Sequence, residues 1–140
     1  MRHDQYPDSY IANILASTRV IALVGASPKP NRDSYEVMQF MQRRGYRVIP
    51  VNPQAAGEMI LGETCVSALA DIAEPVDMVD VFRKSEAVPE IVEEAIAIGA
   101  KTIWLQLGVV HAEAARRAEA SGMMVVMDRC PKIEILRSGG

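Results

Sequence analysis

The sequence has few of the residues from which metal centres and disulfide frameworks are built. Two cysteines (Cys65, Cys130) and two histidines (His3, His111) occur among 140 residues, with no CxxC or HxxH spacing. Cysteines this few and this far apart predict reduced thiols and no bound metal. Long apolar runs are also missing, and the N-terminal MRHDQYPDSY lacks the apolar stretch of a signal peptide. We therefore expect a cytoplasmic protein.

The chain carries no strong excess of either charge. Its formal net charge is −3, which gives no reason to expect nucleic acid or a membrane surface as a partner. Apolar residues make up 49% and charged residues 24%, the balance of a soluble globular protein. A chain of this length predicts one domain over residues 1–140, with a leading helix within 1–18 and a mobile tail at 136–140.

Catalytic motifs are absent as well. The sequence contains no GxSxG motif and no Walker loop, and no Ser-His-Asp set is indicated by spacing. His111 stands where a helix begins and is expected to have a surface or capping role, and Trp104 is expected to lie in the core. Cys130 follows a predicted strand and is expected to be a buried, unreactive thiol. Binding is therefore better supported than chemistry.

Apolar runs of strand length alternate with helical patterns along the chain, as they do in parallel sheets. The predicted strands are 20–24, 47–51, 76–82, 102–106 and 124–128. A capping box of Asp33 and Glu36 predicts the start of one helix, and others are predicted near 8–18, 85–98 and 111–121. Residues 51–76 predict a loop and a short helix at 67–72. The fold expected is a Rossmann-like, doubly wound α/β sheet in the order 3-2-1-4-5, with helices on both faces.

The segment VGASPKPNRDS runs from a strand through a glycine into a helix. Such a corner binds nucleotide phosphates, because free N–H groups and the helix dipole point at the anion. The NAD-type fingerprint would have glycine at 25, 27 and 30, but the chain has Gly25, Ser27 and Pro30. Asn52 also stands where an NAD-binding domain has an acidic residue for the ribose. Both differences weaken the case for NAD.

Basic residues follow several predicted strands, although the chain is acidic overall. In open parallel sheets the ligand lies beyond the carboxyl ends of the strands, so these cations suit a ligand with several phosphates. The alternative is that basic residues are ordinary in loops and that three of the five face water. The five are Lys29, Arg32, Arg83, Lys84 and Arg129.

Five segments, of which VGASPKPNRDS is the first, occur in order between about residues 10 and 135; the others are GYRVIPVNP, PVDMVDVFR, GAKTIWLQLG and VVMDRCPKIE. On these segments the chain resembles the CoA-binding protein family, single-domain relatives of the CoA-binding domain of the succinyl-CoA synthetase α subunit. The resemblance implies that coenzyme A lies across the strand ends. Its phosphates would then meet the first loop, at Gly25, Ala26, Ser27 and Lys29.

The resemblance also implies contacts beyond the later strands. Asn52 and Pro53 would flank the nucleotide, Phe82 and Arg83 would line its adenine or pantetheine side, Gln106 and Gly108 would lie toward the reactive arm, and Arg129, Cys130 and Pro131 would lie beside it. The synthetase domain has further glycines where this chain has Pro28 and Pro30, and a lysine where it has Gln54 or Ala55. Lys29 and Arg32 are the expected substitutes.

The leading hypothesis is a non-catalytic module that binds coenzyme A or acyl-CoA. The phosphorylated histidine of the synthetase lies in a second domain that this sequence does not contain, so ligase activity is not expected. One alternative is an NAD(P)-binding, oxidoreductase-like domain. Another is a mixed disulfide between Cys130 and the thiol of coenzyme A. A homodimer or an unidentified protein partner is compatible with each.

Overall fold

The computed structural model describes residues 2–139 and is built on one parallel sheet. Its strands are β1 (Val20–Val24), β2 (Arg47–Val51), β5 (Met78–Val81), β6 (Thr102–Leu105) and β7 (Met124–Val126), in the order β2-β1-β5-β6-β7. A separate antiparallel pair, β3 (Met59–Ile60) and β4 (Glu63–Thr64), lies in the segment after β2. The predicted Rossmann-like α/β fold with five parallel strands is confirmed.

The strand order needs one correction of detail. Val66 forms a single parallel bridge with Val51 of β2. Its segment therefore lies beside β2, in the place that the order 3-2-1-4-5 gives to strand 3. The segment 76–82, the third predicted strand, pairs with β1 instead of β2. The short bridge escaped prediction because a single paired residue has no apolar periodicity. The chain reverses its winding between β1 and β5.

Helices cover both faces of the sheet, as predicted. They are α1 (Asp8–Ser17), α2 (Asp33–Arg43), α3 (Val88–Ala97), α4 (Ala112–Ala120) and α5 (Pro131–Arg137). Buried side chains of α3 and α4 pack on one face, and those of α1, α2 and α5 pack on the other. Between β4 and β5 the predicted short helix is a 3-10 turn at Leu69–Asp71.

The C-terminal helix α5 was not predicted. It includes Leu136 and Arg137, which belong to the tail predicted at 136–140. Gly140 and Met1 lie outside the described residues, and mobility of the last residues stays a prediction. The helix was missed because PKIEILR is too short to display a helical period.

Alternation along the strands divides the apolar residues between two cores. In β1, Ala22 and Val24 join the core under α3 and α4, whereas Ile21 and Leu23 join the core under α1, α2 and α5. Trp104 is fully buried in the second core, as predicted, and its Nε1–H donates to the carbonyl of Arg129 at 2.9 Å. The sheet is thereby a rigid platform for whatever lies at its ends.

Within residues 2–139, no helix combines the length and the apolarity needed to cross a bilayer. Nor does this part of the chain bring three His, Cys, Asp or Glu side chains together in a way that would hold a metal ion.

Candidate functional site

A cleft of about 700 Å³ opens where β1, β2 and β5 end. This is the point at which the winding of the sheet reverses, where open α/β sheets bind their ligands. The loop after β1, the start of α2, the turn after β2 and the end of β5 supply the lining. The residues are Gly25, Ala26, Ser27, Pro28, Lys29, Asn31, Arg32, Asp33, Ser34, Asn52, Gln54, Ala55, Glu58 and Phe82.

Gly25 turns the chain out of β1 into the cleft. Its φ is +92°, and a Cβ at this position would stand 2.6 Å from the carbonyl oxygen of Phe82. The N–H groups of Gly25 and Ala26 both point to the carbonyl of Val51, at 2.9 and 3.3 Å. A side chain here would therefore strain the backbone and push β1 away from β5.

Asn52 fixes the two loops of the cleft against each other. Its Nδ2 donates to the carbonyl of Ala26 at 2.8 Å, and its Oδ1 accepts from the N–H of Gln54 at 2.9 Å. The second bond caps the 3-10 turn Pro53–Ala55. Both polar atoms of the Asn52 amide are thus used in hydrogen bonds that hold the two loops of the cleft together.

Helix α2 begins at the cleft without a side-chain cap. The expected capping box is wrong: Asp33 is the first helical residue, and the residue before it, Arg32, has extended backbone angles. The Arg32 carbonyl accepts the N–H groups of Tyr35 and Glu36, at 3.1 and 3.2 Å. The N–H groups at the very start of the helix are left for a ligand, and the helix dipole favours an anion there.

The cleft lining has as many positively charged as negatively charged side chains. Lys29 and Arg32 bring two positive charges, and Asp33 and Glu58 bring two negative ones. All four side chains are exposed. A bound anion would therefore depend on backbone N–H groups and on cations close to it, since the cleft as a whole carries no excess of positive charge.

Seven of the thirteen residues expected at the site line this cleft, and all seven lie in the segments that follow β1, β2 and β5. They are Gly25, Ala26, Ser27, Lys29, Arg32, Asn52 and Phe82. The other six lie outside its lining: Pro53, Arg83, Gln106, Gly108, Arg129 and Cys130. The structure thus brings together the residues near the first loop and leaves the later ones apart.

The residues after β6 and β7 form a closed turn. Asp128 has a φ of +58°, and its Oδ1 accepts the N–H of Gly108 at 2.7 Å. The N–H of Val109 donates to the carbonyl of Gln106 at 2.8 Å, which closes the turn that contains Gly108. The Gln106 side chain is buried beneath it.

Arg129 and Cys130 are held by the protein itself. The Arg129 guanidinium lies over the ring of Tyr6, 5.3 Å from its centroid, and donates to the carbonyl of Asp128 at 2.9 Å. Cys130 is buried, as expected, and directly precedes α5.

Of the five predicted cations only Lys29 and Arg32 line the cleft, while Arg83 and Lys84 are exposed outside the lining. His111 has the second of its two expected roles: it caps α4, and its Nδ1 accepts a hydrogen bond from the N–H of Ala114.

Sequence reasoning missed part of the lining. Asn31, Asp33 and Ser34 belong to the same loop and helix start as the predicted residues, so the strand-to-helix pattern could have included them. Gln54, Ala55 and Glu58 come from the segment after β2, which the β3–β4 pair folds back toward the cleft. Strands of two residues are too short to show a periodicity, so the sequence does not indicate that this segment folds back toward the cleft.

Comparisons with known proteins identify the family of this chain and similar solved structures. The family model described as "CoA binding domain" matches residues 19–135. The Uncharacterized protein YneT of Bacillus subtilis is 42% identical over 123 residues, which cover 88% of this chain and 90% of that protein. A solved structure of a hypothetical protein from Pyrococcus horikoshii OT3 is 40% identical, with a TM-score of 0.92, and covers 100% of this chain and 98% of its own.

A more distant relative is a named enzyme. The ADP-forming acetate–CoA ligase I of Archaeoglobus fulgidus is 27% identical over 122 residues. The match covers 80% of this chain and 18% of the ligase. The likeness is therefore to one part of a much longer protein.

Proposed function

The chain belongs to the CoA-binding domain family, and from this premise we propose that it binds coenzyme A or acyl-CoA at the cleft of β1, β2 and β5, without catalysing a reaction. The observation that carries the proposal is the convergence of donors at one corner. Gly25 turns the loop, the start of α2 is uncapped, and Lys29 and Arg32 stand on the same lining. Phosphate oxygens are acceptors only, so they match this set of donors.

The corner would hold the diphosphate, and the turn after β2 would flank the nucleotide. Gln54 and Asn52 line that side, and the ring of Phe82, half-buried at the end of β5, offers an apolar surface for the adenine or the arm. A charge-assisted hydrogen bond contributes roughly 1.5–3 kcal/mol. A few such bonds and the burial of an adenine ring would give about micromolar affinity.

Coenzyme A fits this lining better than NAD does. A dinucleotide domain uses a carboxylate after the second strand to bind the ribose hydroxyls. The side chain in that place is Asn52, whose amide is occupied by Ala26 and Gln54. Coenzyme A also carries a third phosphate for which Lys29 and Arg32 are available partners.

Binding without turnover is proposed because the lining offers no activated nucleophile. Its described residues include no cysteine and no histidine, and neither Ser27 nor Ser34 has a basic side chain bonded to it. Acetyl-CoA incubated with the protein should therefore be recovered intact by chromatography. Release of free coenzyme A above the rate in buffer would overturn this part of the proposal.

Titration calorimetry with coenzyme A, 3′-dephospho-CoA and NAD tests the ligand. We expect coenzyme A to bind most tightly, 3′-dephospho-CoA several-fold more weakly, and NAD weakest. Arg32→Ala should weaken coenzyme A binding about tenfold. Arg43→Ala, an exposed arginine at the opposite end of the same helix, is the matched control and should leave it unchanged. Tighter binding of NAD than of coenzyme A would favour the oxidoreductase-like alternative.

A further inference from the structure

The outer edge of β7 is a sheet edge that its own sequence does not protect. Strand β7 stands at one end of the strand order, and within residues 2–139 no strand pairs with its outer side. The segment 123–127 reads MMVVM and contains neither a charged residue nor a proline. Native proteins protect such edges with charges, prolines or a covering segment, because unpaired N–H and C=O groups pair readily with another strand. The edge of β7 therefore depends on a cover from elsewhere in the chain.

Two tyrosine hydroxyls bind the outward backbone groups of β7. The Tyr10 hydroxyl accepts the N–H of Val125 at 3.0 Å and donates to the carbonyl of the same residue at 2.9 Å. The Tyr6 hydroxyl accepts the N–H of Met127 at 2.8 Å. The two rings stack, with their centroids 5.6 Å apart and their planes 9° from parallel. Side-chain oxygens thus stand where a sixth strand would place its backbone.

His3 binds this N-terminal segment to the other face of the sheet. Helix α1 packs on one face, whereas α4, which carries Glu119, packs on the opposite one. The Nε2 of His3 lies 3.1 Å from Oε1 of Glu119, and its Nδ1 lies 2.6 Å from the Tyr6 hydroxyl. Since a carboxylate only accepts, the neutral ring donates from Nε2 and accepts the Tyr6 proton at Nδ1. Residues 3–10 therefore pass around the edge of the sheet, and we call them the edge cover.

The backbone groups under the edge cover are complementary to a second copy of the same strand. Val125 and Met127 are two residues apart, so an extended strand directs the N–H and C=O of both to its outer side. If two copies of β7 lie antiparallel about a two-fold axis at Val126, Val125 of each copy lies opposite Met127 of the other. N–H and C=O groups then meet in pairs. Because the segment 123–127 is uncharged, no like charges face each other across the axis.

We propose that the outer edge of β7 is an interface for a second copy of this chain, and that the edge cover competes with that copy for the same backbone groups. With the cover in place the protein stays monomeric. When the cover loses its hold, two five-stranded sheets join through β7 into one sheet of ten strands. The interface is independent of coenzyme A, because the cleft lies at the ends of β1, β2 and β5, and β6 separates β5 from β7.

The double variant Tyr6→Phe, Tyr10→Phe tests the competition. It removes both hydroxyls and keeps both rings, so three backbone groups of β7 lose their partners. We expect the dissociation constant of the dimer to be lower in the variant than in the native protein by about tenfold or more. Sedimentation equilibrium of both full-length proteins from micromolar to millimolar concentration measures it. A native protein that is already fully dimeric at micromolar concentration would contradict a cover that blocks the edge.

Tyr46→Phe is the matched control. The Tyr46 hydroxyl donates to the carbonyl of Leu15 at 2.8 Å, and the side chain is half-buried, as those of Tyr6 and Tyr10 are. Tyr46 directly precedes β2, at the opposite edge of the five-stranded sheet. The control should sediment as the native protein does. Dimers of the control would overturn the proposal, because the loss of a tyrosine hydroxyl far from β7 would then have the same effect.

Hydrogen exchange identifies the surface that the dimer uses. The N–H groups of Val125 and Met127 should exchange slowly in the native protein, because the tyrosines bind them. In the double variant they should exchange fast in dilute solution and slowly again at concentrations at which the dimer forms. Fast exchange in the dimer would mean that another surface is used, and a variant that stays monomeric would mean that the edge does not bind a second copy. Either result overturns the proposal.

A milder variant covers the case in which the double variant does not fold. His3→Ala removes the bridge between Tyr6 and Glu119 and leaves both tyrosines in the chain. The edge cover is then held less firmly, so the fraction of dimer at millimolar concentration should rise above that of the native protein. Equal fractions in the two proteins would contradict the competition.

Discussion

The two halves of the sheet's carboxyl edge are built differently. At the ends of β1 and β2 the chain opens into a cleft of about 700 Å³, with exposed charged side chains and an uncapped helix start. At the ends of β6 and β7 it closes at once into a turn held by Asp128, above the buried side chains of Gln106 and Cys130. The open half suits a charged, solvated group, whereas the closed half uses its own polar groups to close the turn.

The length of the segment after each strand accounts for the difference. Eight residues separate the end of β1 from the start of α2, whereas four separate β7 from α5. A long segment can lie around a ligand, but a short one must use its polar groups to join strand and helix. Ligands of such sheets bind beyond the carboxyl ends of the strands, but a residue in that position does not by that alone belong to a binding site.

Substitution of the glycine at the open half should have the largest effect. Gly25→Ala adds a Cβ 2.6 Å from a backbone oxygen at a φ of +92°, so we expect a loss of about 3 kcal/mol in the free energy of unfolding. Coenzyme A binding should be lost as well. Urea denaturation and calorimetry measure the two effects.

Gly45→Ala is the matched control for this change. Gly45 has a nearly identical φ of +96°, but no atom lies within 4 Å of an added Cβ. It should cost only the conformational penalty, about 1 kcal/mol, and leave binding intact. Equal losses of stability in the two variants would show that the approach of Gly25 to Phe82 is unimportant.

Removing charges should distinguish the cations that line the cleft from the exposed cations outside it by their effect on the affinity for coenzyme A. The double variant Lys29→Ala, Arg32→Ala removes both cations of the cleft lining and should weaken coenzyme A about 100-fold. The double variant Arg83→Ala, Lys84→Ala removes the same charge from outside that lining and should change affinity less than threefold. Similar losses in both would mean that phosphates are bound beyond the cleft.

Asp80, which is buried within β5, predicts a dependence of stability on pH. Burial raises the pKa of Asp80 to about 8, so the folded protein holds a proton that the unfolded chain releases near pH 4. The free energy of unfolding should therefore fall as pH rises from about 4 to about 8, by at most about 1.4 kcal/mol per pH unit. In Asp80→Asn this contribution should vanish. Urea denaturation of both proteins between pH 5 and 8 measures it, and parallel curves would contradict a buried, protonated Asp80.

The smallest predicted effect concerns the negative charges of the cleft. Glu58→Gln removes one of the two carboxylates on the lining without changing its size. Coenzyme A should bind about threefold more tightly at low salt, and the gain should shrink as salt screens the charges. Glu90→Gln, an exposed position on α3, is the control and should have no effect. A weaker affinity in Glu58→Gln would mean that this carboxylate accepts a hydrogen bond from the ligand.

Most of the fold could be predicted from the sequence, because continuous apolar runs and helix caps are local signals. All five strands of the sheet were predicted within a few residues, and so were the helices α1 to α4. The β3–β4 pair and α5 escaped because each is too short to display a period. The predicted capping box is wrong because Asp33 fits the consensus for the residue before the helix, yet the helix already begins at Asp33, one residue earlier than the box requires.

The site was predictable where one loop determines it. Gly25, Ser27 and Lys29 follow one another in the loop after β1, so finding the glycine corner located all three. Asp80 was not considered, because a carboxylate inside an apolar run reads as an ordinary strand residue. Only the register with β6 reveals that it shares a face with Gln106.

Nitrogen-15 NMR of the native protein during a titration with coenzyme A tests the central claim most directly. The account predicts that the backbone N–H signals of the non-proline residues within 25–34 and 52–55 shift first and furthest, because the phosphates bind at the corner between β1 and α2. It predicts no shift around residues 99–101 and 121–124, which line a separate cavity at the opposite end of the sheet. Shifts confined to that opposite end, or no shifts at millimolar coenzyme A, would contradict it.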